Sequence, residues 1–188
     1  MHSFSFPIKA YTVIATVGFI LLLSACSEQA EKTAVLTEHT HSQISADKQP
    51  SQTTTALPLL EVYKSPTCGC CEKWLSHIEQ HGFSSKAYNQ TDLSTFKSTK
   101  GIKPQYRSCH TAVSKDGFVF EGHVPAKFIH QFLAKPPKNS IGLSVPAMPI
   151  GSPGMEVGDK FMPYQVILLK SDGSYEIYAK LNNYQEQF

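Results

Sequence analysis

The chain has 188 residues, 41% of them hydrophobic and 17% charged, which is enough for one globular domain of ordinary size once its ends are set aside. Its formal net charge of +2, without a basic stripe, argues against nucleic acid as a partner. The sequence carries no tandem repeat, no nucleotide-binding glycine loop and no paired-carboxylate signature.

The first residues read as a targeting segment. Lys9 precedes an apolar run, Val13 to Leu23, that is too short to span a bilayer comfortably and suits the core of a signal peptide. The run ends in Leu23-Ser24-Ala25-Cys26, which resembles the lipobox of bacterial lipoproteins. On that resemblance, residues 1–25 are a lipoprotein signal peptide and Cys26 is the lipidation site. Ser27, standing where an Asp would retain the protein at the inner membrane, points to the outer membrane and a periplasm-facing lipoprotein. Residues 26–56 then form a tether of Ser, Thr, Gln, Glu and Lys that buries too little apolar surface to offset its chain entropy. His39 and His41 fall in it and are read as solvated.

A folded domain is expected over residues 57–188. A strand is expected at 58–63, followed by a thiol-bearing turn at 64–70 and a helix at 71–81 that stops at Gly82. A short extended piece lies near Lys86 to Tyr88, and a helix at about 92–99 is capped by Asp92 or Thr91 and stopped by Gly101. Two alternating runs, Thr111 to Ser114 and Phe118 to Gly122, flank Asp116-Gly117 and signal a hairpin. Pro125 opens a helix from Ala126 to Leu133. Residues 135–163 form a long Pro/Gly/Met-containing loop with little periodic structure; such a loop is usually functional or disordered, and its apolar residues argue that it packs back on the domain. A second hairpin, Gln165 to Lys170 and Tyr175 to Lys180, turns at Asp172-Gly173. The order strand–helix–strand–helix–strand–strand–helix, with thiols on the first strand-to-helix turn, points to an α/β, thioredoxin-like domain with a C-terminal β-hairpin.

Four cysteines in that domain carry its chemistry. Cys68-Gly69-Cys70-Cys71 sits where a strand hands over to a helix N-terminus, and free N–H groups and the helix dipole favour thiolate there. Cys68 and Cys71 have the C-x-x-C spacing of a redox dithiol, and a disulfide between them is geometrically reasonable. The third sulfur, Cys70, is superfluous for dithiol exchange but useful to a soft metal, because a thiolate bridges two ions. Paired zinc spacing is missing, and Cu(I) prefers thiolates and thioethers. In a thioredoxin-like fold Cys109 stands where a cis-proline is usual, so it should face the Cys68–Cys71 turn. Met148 and Met155 are candidate thioether ligands on the Pro/Gly loop, and Met155 is the better placed because Gly154 allows close approach. Met162 reads as packing. His110 adjoins Cys109 and is a candidate nitrogen ligand or hydrogen-bond partner, but it and His123 lean towards structural roles, and His77, His81 and His130 read as surface helix residues.

Four segments together resemble the CopG family of periplasmic copper-resistance proteins: Cys68 to Trp74, Tyr106 to Thr111, Glu121 to Ala126, and Met148 to Glu156. The resemblance implies a thioredoxin-like protein that binds Cu(I) through Cys68, Cys70, Cys71 and Cys109, with Met155 and Met148 nearby, in a cysteine-bridged multinuclear cluster. It also implies a role in copper tolerance that extends to interconversion of Cu(I) and Cu(II), with Cys68 and Cys71 as the redox pair of a copper oxidoreductase. Two alternatives stand beside it. One is a thiol–disulfide oxidoreductase acting on proteins. The other is a metallochaperone that exchanges copper with periplasmic carriers or exporters.

Overall fold

The computed structural model describes residues 57–188. The expected signal peptide, the lipidation site Cys26 and the tether with His39 and His41 lie outside the described residues.

The elements in chain order are β1 (Leu59–Lys64), α1 (Gly69–Gln80), β2 (Ser84–Asn89), α2 (Leu93–Thr99), β3 (His110–Ser114), β4 (Val119–Glu121), α3 (Ala126–Ala134), β5 (Ser140–Ser144), β6 (Tyr164–Lys170) and β7 (Tyr175–Leu181). Short 3-10 turns occupy Pro104–Tyr106 and Tyr184–Gln187. The strands form one seven-stranded sheet in the order β2-β1-β3-β4-β5-β6-β7. Parallel pairing joins β1 to β2 and β4 to β5, and every other neighbour is antiparallel. Each parallel pair is bridged by a helix, α1 in the first and α3 in the second, as a parallel crossover requires.

Period-two alternation sorts the strand side chains onto two faces. Leu60, Val62, Ala112, Phe120, Leu143, Val166 and Leu168 belong to one buried cluster with Trp74, Ile78, Ile129 and Phe132. Val113, Val119, Ile167 and Leu169 belong to a second, with Ile102 and the partly buried Tyr63 and Phe96. Helices α1 and α3 therefore cover one face, and α2 lies on the other. Helix α1 buries Cys71, Trp74, Leu75 and Ile78, an i, i+3, i+4, i+7 stripe that brings a sulfur of the thiol turn into the core. Asp92 caps α2, accepting a hydrogen bond from the Thr95 amide at 2.9 Å.

Two expectations need correction. Helix α1 begins at Gly69 rather than residue 71, so Cys70 and Cys71 are already helical and Cys68 is the N-cap residue. The segment 135–163 is also not all loop, because β5 runs through it and pairs with both β4 and β6. Gly142 makes that pairing feasible. Its φ is +151°, and a Cβ there would meet the Val119 backbone at under 3 Å. The β6–β7 hairpin therefore extends the sheet rather than standing apart from it.

Candidate metal centre

The ends of β1 and β3 meet at the N-terminus of α1. Lys64, the last residue of β1, is buried, and its ammonium pairs with Glu72 in the first turn of α1 at 2.6 Å and with Asn89 of β2 at 3.2 Å. These contacts tie the first turn of α1 to the ends of β1 and β2. Cys68 and Cys71 are joined as a disulfide, with their Cα atoms 5.3 Å apart. Cys70 is free and half-buried, with its sulfur 3.5 Å from that of Cys68.

Cys109 approaches from the loop that enters β3. The sulfurs of Cys68, Cys70, Cys71 and Cys109 lie within 4.8 Å of one another. The structure thus brings the four expected thiols together, including the distal one. A buried ion pair holds that loop. The Lys97 ammonium, 3% exposed, pairs with the fully buried Glu121 carboxylate and donates to the Ser108 carbonyl at 3.0 Å. Glu121 in turn accepts from the Ser108 amide and the Thr111 hydroxyl, both at 2.6 Å. Burial raises the Glu121 pKa, while Lys97 and these hydrogen bonds oppose the rise. Sequence reasoning missed Lys97 and Glu121 as positioning residues.

Cys109 also touches two histidines. Its sulfur is 3.0 Å from His123 Nε2 and 3.2 Å from His110 Nδ1. His123 is buried, and its Nδ1 donates to the Pro153 carbonyl at 2.7 Å, which leaves Nε2 unprotonated towards the sulfur. His110 is fully buried, with its ring centroid 4.3 Å from that of Trp74. The Trp74 indole donates to the Val124 carbonyl at 2.9 Å and so ties α1 to the His123 segment. Burial pushes the Cys109 thiol up to about 12, with the neighbouring Cys70 adding to the shift. Burial also lowers both imidazole pKa values, that of His110 most strongly. At neutral pH Cys109 is therefore protonated and both histidines are neutral.

The Pro/Gly loop closes the other side. Gly154, at φ +86°, packs directly on α1, and a Cβ there would stand 2.7 Å from the Cys70 carbonyl and 2.8 Å from the Trp74 nitrogen. Hydrogen bonds from the Met155 amide to Ser152 and from the Gly151 amide to Met155 hold the turn at 2.7 and 2.9 Å. Met155 is half-buried beside Gly154, whereas Met148 is 48% exposed. His77, expected at the surface, is half-buried and caps α3, with its Nε2 accepting from the Ala126 amide at 3.1 Å.

Residues 106–155 match a family described as "Protein of unknown function, DUF411". They contain Cys109, both histidines and the Gly154 loop. Two solved structures, described as copper resistance protein CopG, forms 1 and 2, superpose with a TM-score of 0.63 at 38% identity. The match covers 66% of this chain and 98% of the CopG chain in each case. The chain belongs to the CopG-like family. No curated protein matches it. For a CopG-like chain the donor set is chemically consistent with a soft metal: four sulfurs converge, and among the described residues no Asp or Glu carboxylate joins the group.

Proposed function

We propose that this CopG-like chain binds copper for copper resistance, holding Cu(I) in a multinuclear cluster bridged by the thiolates of Cys68, Cys70, Cys71 and Cys109. The observation that carries this reading is the convergence of four sulfurs within 4.8 Å at one helix N-terminus. Thiolate is the preferred donor for Cu(I), and four sulfurs that close share more than one ion by bridging. Met155 adds a thioether from the loop packed on Cys70, and Met148 is a weaker candidate because of its exposure.

The Cys68–Cys71 disulfide supports a redox role. Two thiols forming that disulfide release two protons and two electrons, which reduce two Cu(II) to two Cu(I). Reversal needs an external dithiol. The strand order β2-β1-β3-β4, with α1 and α3 on one face, supports a thioredoxin-like reading of the domain. A periplasm-facing lipoprotein anchored through Cys26 in the outer membrane suits this chemistry, because bound metal protects thiols in an oxidising compartment.

The same disulfide favours one further reading, a thiol–disulfide oxidoreductase acting on proteins. Transfer of copper to periplasmic carriers or exporters is compatible with the leading reading, since the thiols of Cys70 and Cys109 are partly accessible. Replacing Cys109 separates copper binding from disulfide exchange. Cys109→Ser is expected to lower the number of Cu(I) ions bound per reduced chain while Cys68 and Cys71 still form their disulfide. Unchanged stoichiometry, measured by anaerobic titration, would remove Cys109 from the cluster.

A further inference from the structure

The disulfide leaves a second set of donors intact. When Cys68 and Cys71 are joined, the four-sulfur site loses two ligands, yet Cys109, His110 and His123 keep their ligand atoms within 4.8 Å of one another. Their geometry marks these as more than packing. The Pro153 carbonyl fixes the His123 tautomer and aims an unprotonated Nε2 at Cys109, the arrangement by which a backbone carbonyl prepares a metal-ligating imidazole. His110 presents its Nδ1 to the same sulfur, so both imidazoles turn a ring nitrogen towards Cys109. The two S···N separations, 3.0 and 3.2 Å, are also close to what an ion needs. A metal at ordinary sulfur and nitrogen bond lengths holds such atoms roughly 3.5 to 3.7 Å apart, so the site would open by about half an ångström to take one.

We infer that Cys109, His110 and His123 form a one-sulfur, two-nitrogen site, sharing the Cys109 sulfur with the four-sulfur set, that takes a single Cu(II) ion while Cys68 and Cys71 are disulfide-bonded. This rests on the reading of the chain as a copper protein but not on the thiolate cluster. One sulfur and two imidazoles are a set that copper accepts in trigonal geometry in either oxidation state, whereas a four-thiolate cluster suits Cu(I) alone. Binding transfers no electron. The Cys109 S–H bond breaks, a Cu–S bond forms, and the proton leaves to solvent. The protein then keeps a copper port in its oxidised form.

The test uses the full chain carrying Cys26→Ser and Cys70→Ser with the Cys68–Cys71 disulfide formed, so that Cys109 is the sole free thiol. Cu(II) is added anaerobically. The expected result is one ion per chain, an intense visible thiolate-to-copper absorption, and hyperfine coupling to two imidazole nitrogens by pulsed electron paramagnetic resonance. Adding His123→Gln should weaken binding at least about tenfold. Absence of the absorption, coupling to fewer than two nitrogens, or unchanged affinity after His123→Gln would each overturn the inference. If His123→Gln does not fold, the nitrogen coupling of the parent chain decides alone. The cluster reading stands or falls separately, on the Cu(I) count of the reduced chain with Cys70 present.

Discussion

Cys109 illustrates how a single side chain is placed by residues far from it in sequence. Glu121 and Lys97 are buried together and grip both ends of the Ser108 peptide, so the sulfur that follows has little freedom. Removing one partner leaves an uncompensated buried charge. Lys97→Met should destabilise the fold by about 3 kcal/mol, read as a lower denaturant midpoint, and adding Glu121→Gln should recover part of the loss. A loss under about 1 kcal/mol would show that the pair is dispensable. Met155 offers a contrasting case. Met155→Leu nearly conserves volume, so the fold should hold while Cu(I) affinity falls. Equal affinity would make Met155 a packing residue. At this scale the cysteines were legible because their spacing and their position after β1 are local facts. Lys97 was not, since nothing in Lys97-Ser98-Thr99 signals a partner 24 residues away. The pairing of His110 with His123 was within reach. The Asp116-Gly117 turn sets Thr111 opposite Glu121, and one further step brings the two histidines to the same end of the hairpin.

Among the elements, α1 and α3 are coupled through His77. Its Nε2 accepts from the first amide of α3, which a capping side chain would otherwise satisfy. Burial, with the nearby His81 adding to it, lowers the His77 pKa to about 4 from an ordinary 6.5. The unfolded chain therefore binds more protons than the folded one between those values. Stability from this residue is intact above pH 6.5 and declines as the pH falls towards 4, where the acceptor itself is lost. His110 and His123 act in the same direction, so the difference between variants is the informative quantity. His77→Gln keeps an acceptor without a titrating group and should flatten the loss of thermal stability between pH 6.5 and 4. An unchanged slope would contradict this account of the α1–α3 contact. Strand β5 shows where element-scale reading stopped. Ser140 to Ser144 is five residues long with a glycine at its centre, and it is bounded by Pro136-Pro137 and Pro146. Its strand character comes from the partners on either side, β4 and β6, rather than from its own composition.

Viewed whole, the molecule gathers four separate parts of the chain at one end of a seven-stranded sheet. These are the N-terminus of α1, the loop entering β3, the turn after β4, and the loop after β5. The helices bring the first to the sheet, the hairpin brings the second and third together, and Gly154 allows the fourth to rest on the first. The central claim is that this convergence is a thiolate cluster for copper. The direct measurement is an anaerobic Cu(I) titration of the fully reduced chain, carrying Cys26→Ser, with bound metal counted per protein. More than one tightly held Cu(I) ion per chain is expected, with the count falling when Cys70 is replaced by Ser. One weakly held ion, unaffected by Cys70→Ser, would contradict it.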